Sequence, residues 1–390
     1  MTRAPVTPRG IGEYINDYEL LQPLQNQDAG FSRWTFAVRN GQEYFLKEFM
    51  DPIYPTDLDL SPKLRESRIK ECQEFEKKRM RLYQAVDDAS DGNAVRIIDF
   101  FRHGSRYYVA TPKIVKAQIS FDRIVALPLY QRALLCRSMA HTVMRLHKLH
   151  FVHSDIKETN IILCPARNGN LTTKLIDFDA SFFEDDPPVN EDELGGDQVY
   201  LSPEACLFLF GEEVKLTCAM DVFSLGLLFH QYLTGKLPEF DTNEFFYAHE
   251  AVLNDQQLIV SPNLDKRLQD MLRQMLDVDP EKRCTMEEVY RILGDYINLD
   301  PCRTGRVPPN MLDMAEDDFV SHSAVRGGAA RTTKLKVPVQ LDTNSGEVVS
   351  MEYLRKLRQE QSAATPPPPL GGSDAFGGDS AKWFNAGGTL

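Results

Sequence analysis

The run His153-Ser154-Asp155-Ile156-Lys157-Glu158-Thr159-Asn160 sets an acid, a lysine two residues on and an asparagine five residues on. A second acid, Asp177, follows the apolar pair Leu175-Ile176 and precedes Phe178-Asp179. These residue types suit phosphoryl transfer. That reaction needs an acid to orient a hydroxyl and accept its proton, a cation to neutralise the moving phosphoryl charge, and hard oxygen ligands for magnesium. Lys47, in Phe45-Leu46-Lys47, is a lysine on an apolar strand and needs an anion as partner if it faces a cleft.

The catalytic run does not stand alone. His-x-Asp-x-Lys-x-x-Asn, then Asp177-Phe178, then Ser202-Pro203-Glu204, then Asp221-Val222-Phe223-Ser224-Leu225-Gly226 come in a fixed order. Over roughly 17–300 the chain resembles a eukaryotic-type Ser/Thr protein kinase, of the kind also found in bacteria. The resemblance implies an α+β, bilobal protein-kinase-like fold, with a small β-rich N-lobe and a larger helical C-lobe. It implies Mg-ATP as cofactor and a protein substrate with a Ser or Thr acceptor. Asp155 then takes the role of catalytic base, Lys157 faces the transferred phosphate, and Asn160 and Asp177 hold the metal. Lys47 would hold the nucleotide phosphates with Glu76 as its partner; Glu71 is the rival acid. Gly30 would belong to the phosphate-cradling loop. Thr111, Pro112 and Ile114 would line the adenine pocket, with the Ile114 N–H as the donor that Pro112 lacks. His153 and Phe178 would stack with Met80 in a spine. Glu204 would pair with Arg283, and Asp221 would pin the catalytic-loop backbone.

Elements that could position these groups are legible. The turn Asn40-Gly41 precedes a strand at 42–49 and signals a hairpin. A charged helix is expected near 64–84, with Ile69, Cys72, Phe75 or Glu76, Met80 and Tyr83 on one side. Strands are expected at 95–101 and 107–111. Leu135, Met139, Val143, Leu146 and Leu149 recur at helical spacing, 219–233 is apolar on nearly every side, and Thr285-Met286-Glu287-Glu288 has the form of a capping box. The expected divisions are a mobile lead at 1–16, an N-lobe at 17–115, a C-lobe at 116–300 and a low-complexity tail at 301–390. Within the tail, 334–341 alternates like a strand and 350–361 reads as a short helix. Its Thr and Ser residues offer sites for self-phosphorylation, and Trp383-Phe384 offers a docking peptide.

The 390 residues carry a net charge of −13, which argues against nucleic acid or an anionic membrane as main partner. No apolar run spans a bilayer, and Met1-Thr2-Arg3-Ala4-Pro5 lacks the apolar core of a signal peptide. Seven scattered cysteines without a Cys-x-x-Cys pair suggest a reducing cytoplasm, without a disulfide framework or a zinc site.

Four departures from the family pattern stand out. The loop 25–34 has one glycine, Gly30, where the family has up to three. Ser154 replaces the arginine that reads a phosphate on the activation segment. Consistently, 182–201 holds no Ser or Thr but seven acids, opposite a helix rich in Lys and Arg. Attraction between the two would order the site without phosphorylation. Asp179 replaces the glycine after Asp-Phe. Asp197 replaces the threonine expected to bridge the catalytic acid and lysine, and could bond Lys157. The leading reading is an active kinase. A pseudokinase acting as a nucleotide-binding or scaffolding module is the main alternative, and a small-molecule phosphotransferase is the third.

Overall fold

A computed structural model describes residues 10–26, 32–56, 60–166 and 170–299. Gly30, the tail 301–390 and its expected strand and helix lie outside the described residues.

Six antiparallel strands form one sheet in the order β1-β2-β3-β4-β6-β5. They are β1 (Tyr14–Ile15), β2 (Tyr18–Leu20), β3 (Ser32–Arg39), β4 (Gln42–Phe49), β5 (Asp99–His103) and β6 (Arg106–Pro112). The sheet starts inside the segment expected to be a mobile lead. Ile15 is fully buried beside Tyr18, so its apolar surface draws 14–15 into the sheet. Asn40 and Gly41 both take positive φ, 52° and 75°. That is the mirror-image turn whose twist suits a two-residue hairpin, and it sets the register Trp34↔Lys47 and Phe36↔Phe45. Of the expected 95–101 strand only 99–101 joins the sheet, as the start of β5, which runs on to His103. Val95 instead bonds Leu175 and Ile98 bonds Ala110.

Helix α1 (Pro62–Ala89) begins at the Ser61 cap with Pro62 in its first turn, where a missing N–H costs nothing. Cys72, Leu82, Tyr83 and Val86 are buried, whereas Met80 is 64 % exposed. The face turned inward is therefore rotated away from Met80, and no spine runs through it.

The helical part contains α2 (Phe121–Val125), α3 (Leu129–His147), α4 (Pro203–Leu209), α5 (Ala219–Thr234), α6 (Ala248–Leu253), α7 (Lys266–Met275) and α8 (Met286–Leu299). Short pairs β7 (Phe151–Val152) with β10 (Phe182–Phe183), and β8 (Ile161–Pro165) with β9 (Leu171–Leu175), bracket the loops that carry the candidate site residues. Met220 through Leu233 on α5 are all buried, as their all-round apolarity requires. The capping box forms: Thr285 N donates to Glu288 and Glu288 N donates back to the Thr285 hydroxyl. Arg283 and Glu204 make a buried bidentate pair at 2.7 and 2.9 Å.

Candidate active site

The loop 153–160 follows β7 and is held by its backbone. Both oxygens of the buried Asp221 on α5 accept backbone N–H groups, from His153 at 2.8 Å and Ser154 at 2.9 Å. His147 Nε2 lies 3.0 Å from the same carboxylate. His153 is fully buried, its ring 5.1 Å from Phe178, with Nε2 against the Ile176 carbonyl. Ser154 takes φ 69° and donates its hydroxyl to Gly195 O, so the position contributes no cation to the activation segment. Gly195 itself is required by close packing, because a Cβ there would meet the Ala180 Cβ at 2.7 Å.

These anchors gather three of the expected residues. Asp155 Oδ2 accepts from Asn160 Nδ2 at 2.9 Å and pairs with Lys157 Nζ at 2.9 Å, while its buried Oδ1 has no hydrogen-bond partner among the described residues. Ile176 N donates to Asn160 O at 3.0 Å, which ties Asp177, the next residue, to the same loop. Asp197 does not bond Lys157 as expected. Its carboxylate accepts the Val199 N–H at 2.9 Å, a turn that its own short side chain closes.

The upper wall differs more from expectation. Lys47 Nζ lies 3.0 Å from Asp177 Oδ1 and 2.8 Å from Asp179 Oδ2. Glu76 is not its partner. The Glu76 carboxylate accepts from the Tyr107 hydroxyl at 2.6 Å, because β6 presents a phenol at that point. The helix instead sends Arg79, whose guanidinium donates to Phe178 O at 3.3 Å and lies 3.7 Å from Asp179. Burial alone would lower the Lys47 pKa, but Asp179 and then Asp177 outweigh it and raise it above the usual lysine value. Burial likewise opposes ionisation of Asp177, and the Lys47 charge overrides it, holding that carboxyl below the ordinary range.

Trp34, Phe36 and Phe45 share the face of β3 and β4 that carries Lys47, with ring centroids 5.6–6.1 Å apart. Sequence reasoning missed this triad and the Asp179–Arg79 contact. Strand alternation with the Asn40-Gly41 register could have placed the rings. Thr111 stands opposite Phe45 on β6, and the Ile114 N–H has no hydrogen-bond partner among the described residues.

The donor set suits magnesium. Asn160 spends its Nδ2 on Asp155, which leaves its amide oxygen, and Asp177 Oδ2 carries no protein bond among the described residues. No cluster of three or more His, Cys, Asp or Glu able to hold a metal occurs among the described residues. Two hard oxygens shared with phosphate are what a kinase-type magnesium site uses.

The model of the protein kinase domain family matches residues 63–292. The chain belongs to the protein kinase domain family. It is 26 % identical over 294 residues to calcium-dependent protein kinase 24 of Arabidopsis thaliana, covering 73 % of this chain and 46 % of that one. It is 30 % identical over 173 residues to calcium-dependent protein kinase 12 of Oryza sativa subsp. japonica, covering 43 % of this chain and 31 % of that one. A probable serine/threonine-protein kinase of Dictyostelium discoideum is 28 % identical over 180 residues, 46 % of this chain and 10 % of that one. The kinase domain thus spans less than half the length of these curated relatives. The family match begins after the six-stranded sheet's first four strands, the stretch that holds Lys47 and the aromatic triad.

Proposed function

We propose that the protein is a Mg-ATP-dependent kinase that transfers the γ-phosphoryl group to a Ser or Thr hydroxyl of a protein. The observation that carries this reading is Asp155. One of its oxygens is fixed by Asn160 and Lys157, and the other is buried beside them with no hydrogen-bond partner among the described residues. A carboxylate so held can accept a substrate hydroxyl proton, while Lys157 stands ready beside the phosphoryl group as its charge shifts. Magnesium, held by Asn160 and Asp177, would neutralise phosphate charge. Lys47 has three ammonium donors and spends two on Asp177 and Asp179, so one remains for phosphate. Thr111 and the Ile114 N–H would meet the adenine. The Glu204–Arg283 pair and the segment between Ser202 and Arg283 favour a protein substrate over a small molecule. The six cysteines among the described residues are free thiols, which supports a reducing compartment such as the cytoplasm.

The aromatic triad favours a second reading, a nucleotide-binding scaffold without turnover, because it sets three bulky rings on the same sheet face as Lys47. Purified protein with γ-labelled ATP, magnesium and a generic basic protein separates the two. Label transfer that is lost in Asp155→Asn and Asp177→Ala establishes the enzyme. Nucleotide binding without transfer selects the scaffold, and neither binding nor transfer removes both.

A further inference from the structure

Lys47 is 13 % exposed, and a lysine so enclosed must keep an anion. Asp177 is one, yet Asp177 is also the carboxylate that a metal ion would claim. Asp179 has no such second duty. It reaches Lys47 at 2.8 Å, the shorter of the two contacts, and on its other oxygen meets Arg79. Arg79 is itself fixed. Its guanidinium packs 5.1 Å from the Phe49 ring and 5.4 Å from Phe75, and it also holds Phe178 O. The acid that α1 could have offered, Glu76, is occupied by Tyr107. The order is thus cation, acid, cation: helix, metal loop, strand. Lys47 and Arg79 balance Asp177 and Asp179 in number, and a metal ion arriving at Asp177 would leave Lys47 relying on Asp179.

We propose that Asp179 is the positioning acid of Lys47, replacing an acid from the helix, and that Arg79 couples α1 to the site through it. This deepens the kinase reading and rests on it. An aspartate after Asp-Phe therefore serves the phosphate lysine. It is more than a stiffer substitute for glycine in the backbone.

The test uses the full chain and two readouts, equilibrium binding of Mg-ADP and steady-state phosphoryl transfer. Asp179→Asn keeps the shape and removes the charge. It is expected to weaken Mg-ADP binding and lower kcat, each about tenfold, the worth of one charge-assisted hydrogen bond. The magnesium concentration for half-maximal activity should stay within about twofold, whereas Asp177→Asn should raise it. Asp179→Glu should recover most of the loss, which a purely structural role would not give, since the longer chain fits the loop less well. Arg79→Met should show the same pattern as Asp179→Asn at smaller size. If wild type binds Mg-ADP and both Asp179→Asn and Asp179→Gly match it in affinity and kcat, the positioning role is overturned and the kinase reading survives. If Asp179→Asn does not fold, Arg79→Met decides, and an unchanged affinity there overturns the role. If wild type binds no nucleotide, the kinase reading falls and takes this role with it.

Discussion

The floor and the upper wall of the site are held by different kinds of bond. On the floor, Asp221 takes two backbone N–H groups, and Asn160 reaches back to the Asp155 carbonyl as well as its carboxylate. Such bonds ignore the side chain of the residue they hold, so Ser154 can stand where an arginine is expected without shifting Asp155. On the wall, Lys47, Arg79, Asp177 and Asp179 are joined side chain to side chain across a strand, a helix and a loop. There an acid can move from one element to another provided the charges still balance. The floor preserves geometry, and the wall preserves charge.

The largest effect should come from the floor's reacting group. Asp155→Asn removes the free carboxylate oxygen and is expected to lower kcat by about 10²–10⁴-fold with little change in Mg-ADP affinity. A loss of affinity equal to the loss of kcat would mean that Asp155 mainly holds the cleft together. The stability counterpart is Asp221→Ala. It strands the buried N–H groups of His153 and Ser154, each costing about 1–3 kcal/mol, so unfolding in urea should show a loss of about 3–5 kcal/mol. Asp179→Asn on the wall should cost about 1 kcal/mol in the same assay. Equal losses at the two positions would erase the contrast.

This contrast also explains which parts were legible in the sequence. Asp155, Lys157 and Asn160 lie within one short loop whose spacing is set by local backbone, and the chain returns beside them at Asp177 across the β8–β9 pair. Glu204–Arg283 was readable only through the family resemblance, and the structure forms the pair in a buried setting. The partner of Lys47 was not. Choosing Glu76 assumed a rotation of α1 that only packing decides, and Tyr107 on a distant strand settles it. Residues three apart differ by about 60° around a helix, so a modest rotation brings Arg79 in place of Glu76 and turns Met80 outward while Tyr83 stays buried. The short strand at 14–15 was missed because two residues carry no period of their own.

A pH effect should appear in the helical part, away from the cleft. His249 at the start of α6 is 1 % exposed, its Nδ1 has no hydrogen-bond partner among the described residues, and burial pushes its pKa down from 6.5 to about 4. The folded state therefore holds it neutral, while the unfolded chain binds a proton below about pH 6.5. Its contribution to stability is complete above that pH and is lost as pH falls towards 4. At about 1.4 kcal/mol per pKa unit the loss reaches about 3 kcal/mol. His230, also lowered by burial, acts in the same direction, so the diagnostic is a difference. His249→Phe should show a flatter decline than wild type between pH 6.5 and 4 in urea unfolding. Parallel curves would place the proton uptake elsewhere.

The smallest effect concerns the activation segment. Seven acids there and many cations on α1 suggested a broad mutual attraction, but the described contacts are few. Arg79 meets Asp179, and Arg81 grips Asp185 at 2.8 and 2.9 Å while its guanidinium lies 3.8 Å from the Phe183 ring. Arg68 and Lys70 pair within the helix, with Glu71 and Glu74. Arg81 and Asp185 are 46 % and 70 % exposed, so their pair is worth at most about 1 kcal/mol and is screened by salt. Arg81→Ala should therefore lower stability by about 1 kcal/mol or less, including the lost ring contact. Raising salt from about 0.05 to 0.5 M should change activity at saturating ATP less than about threefold. A drop of tenfold or more would show that charges on the open surface hold the segment, and that the wall's logic extends beyond the half-buried cluster of Lys47, Arg79, Asp177 and Asp179.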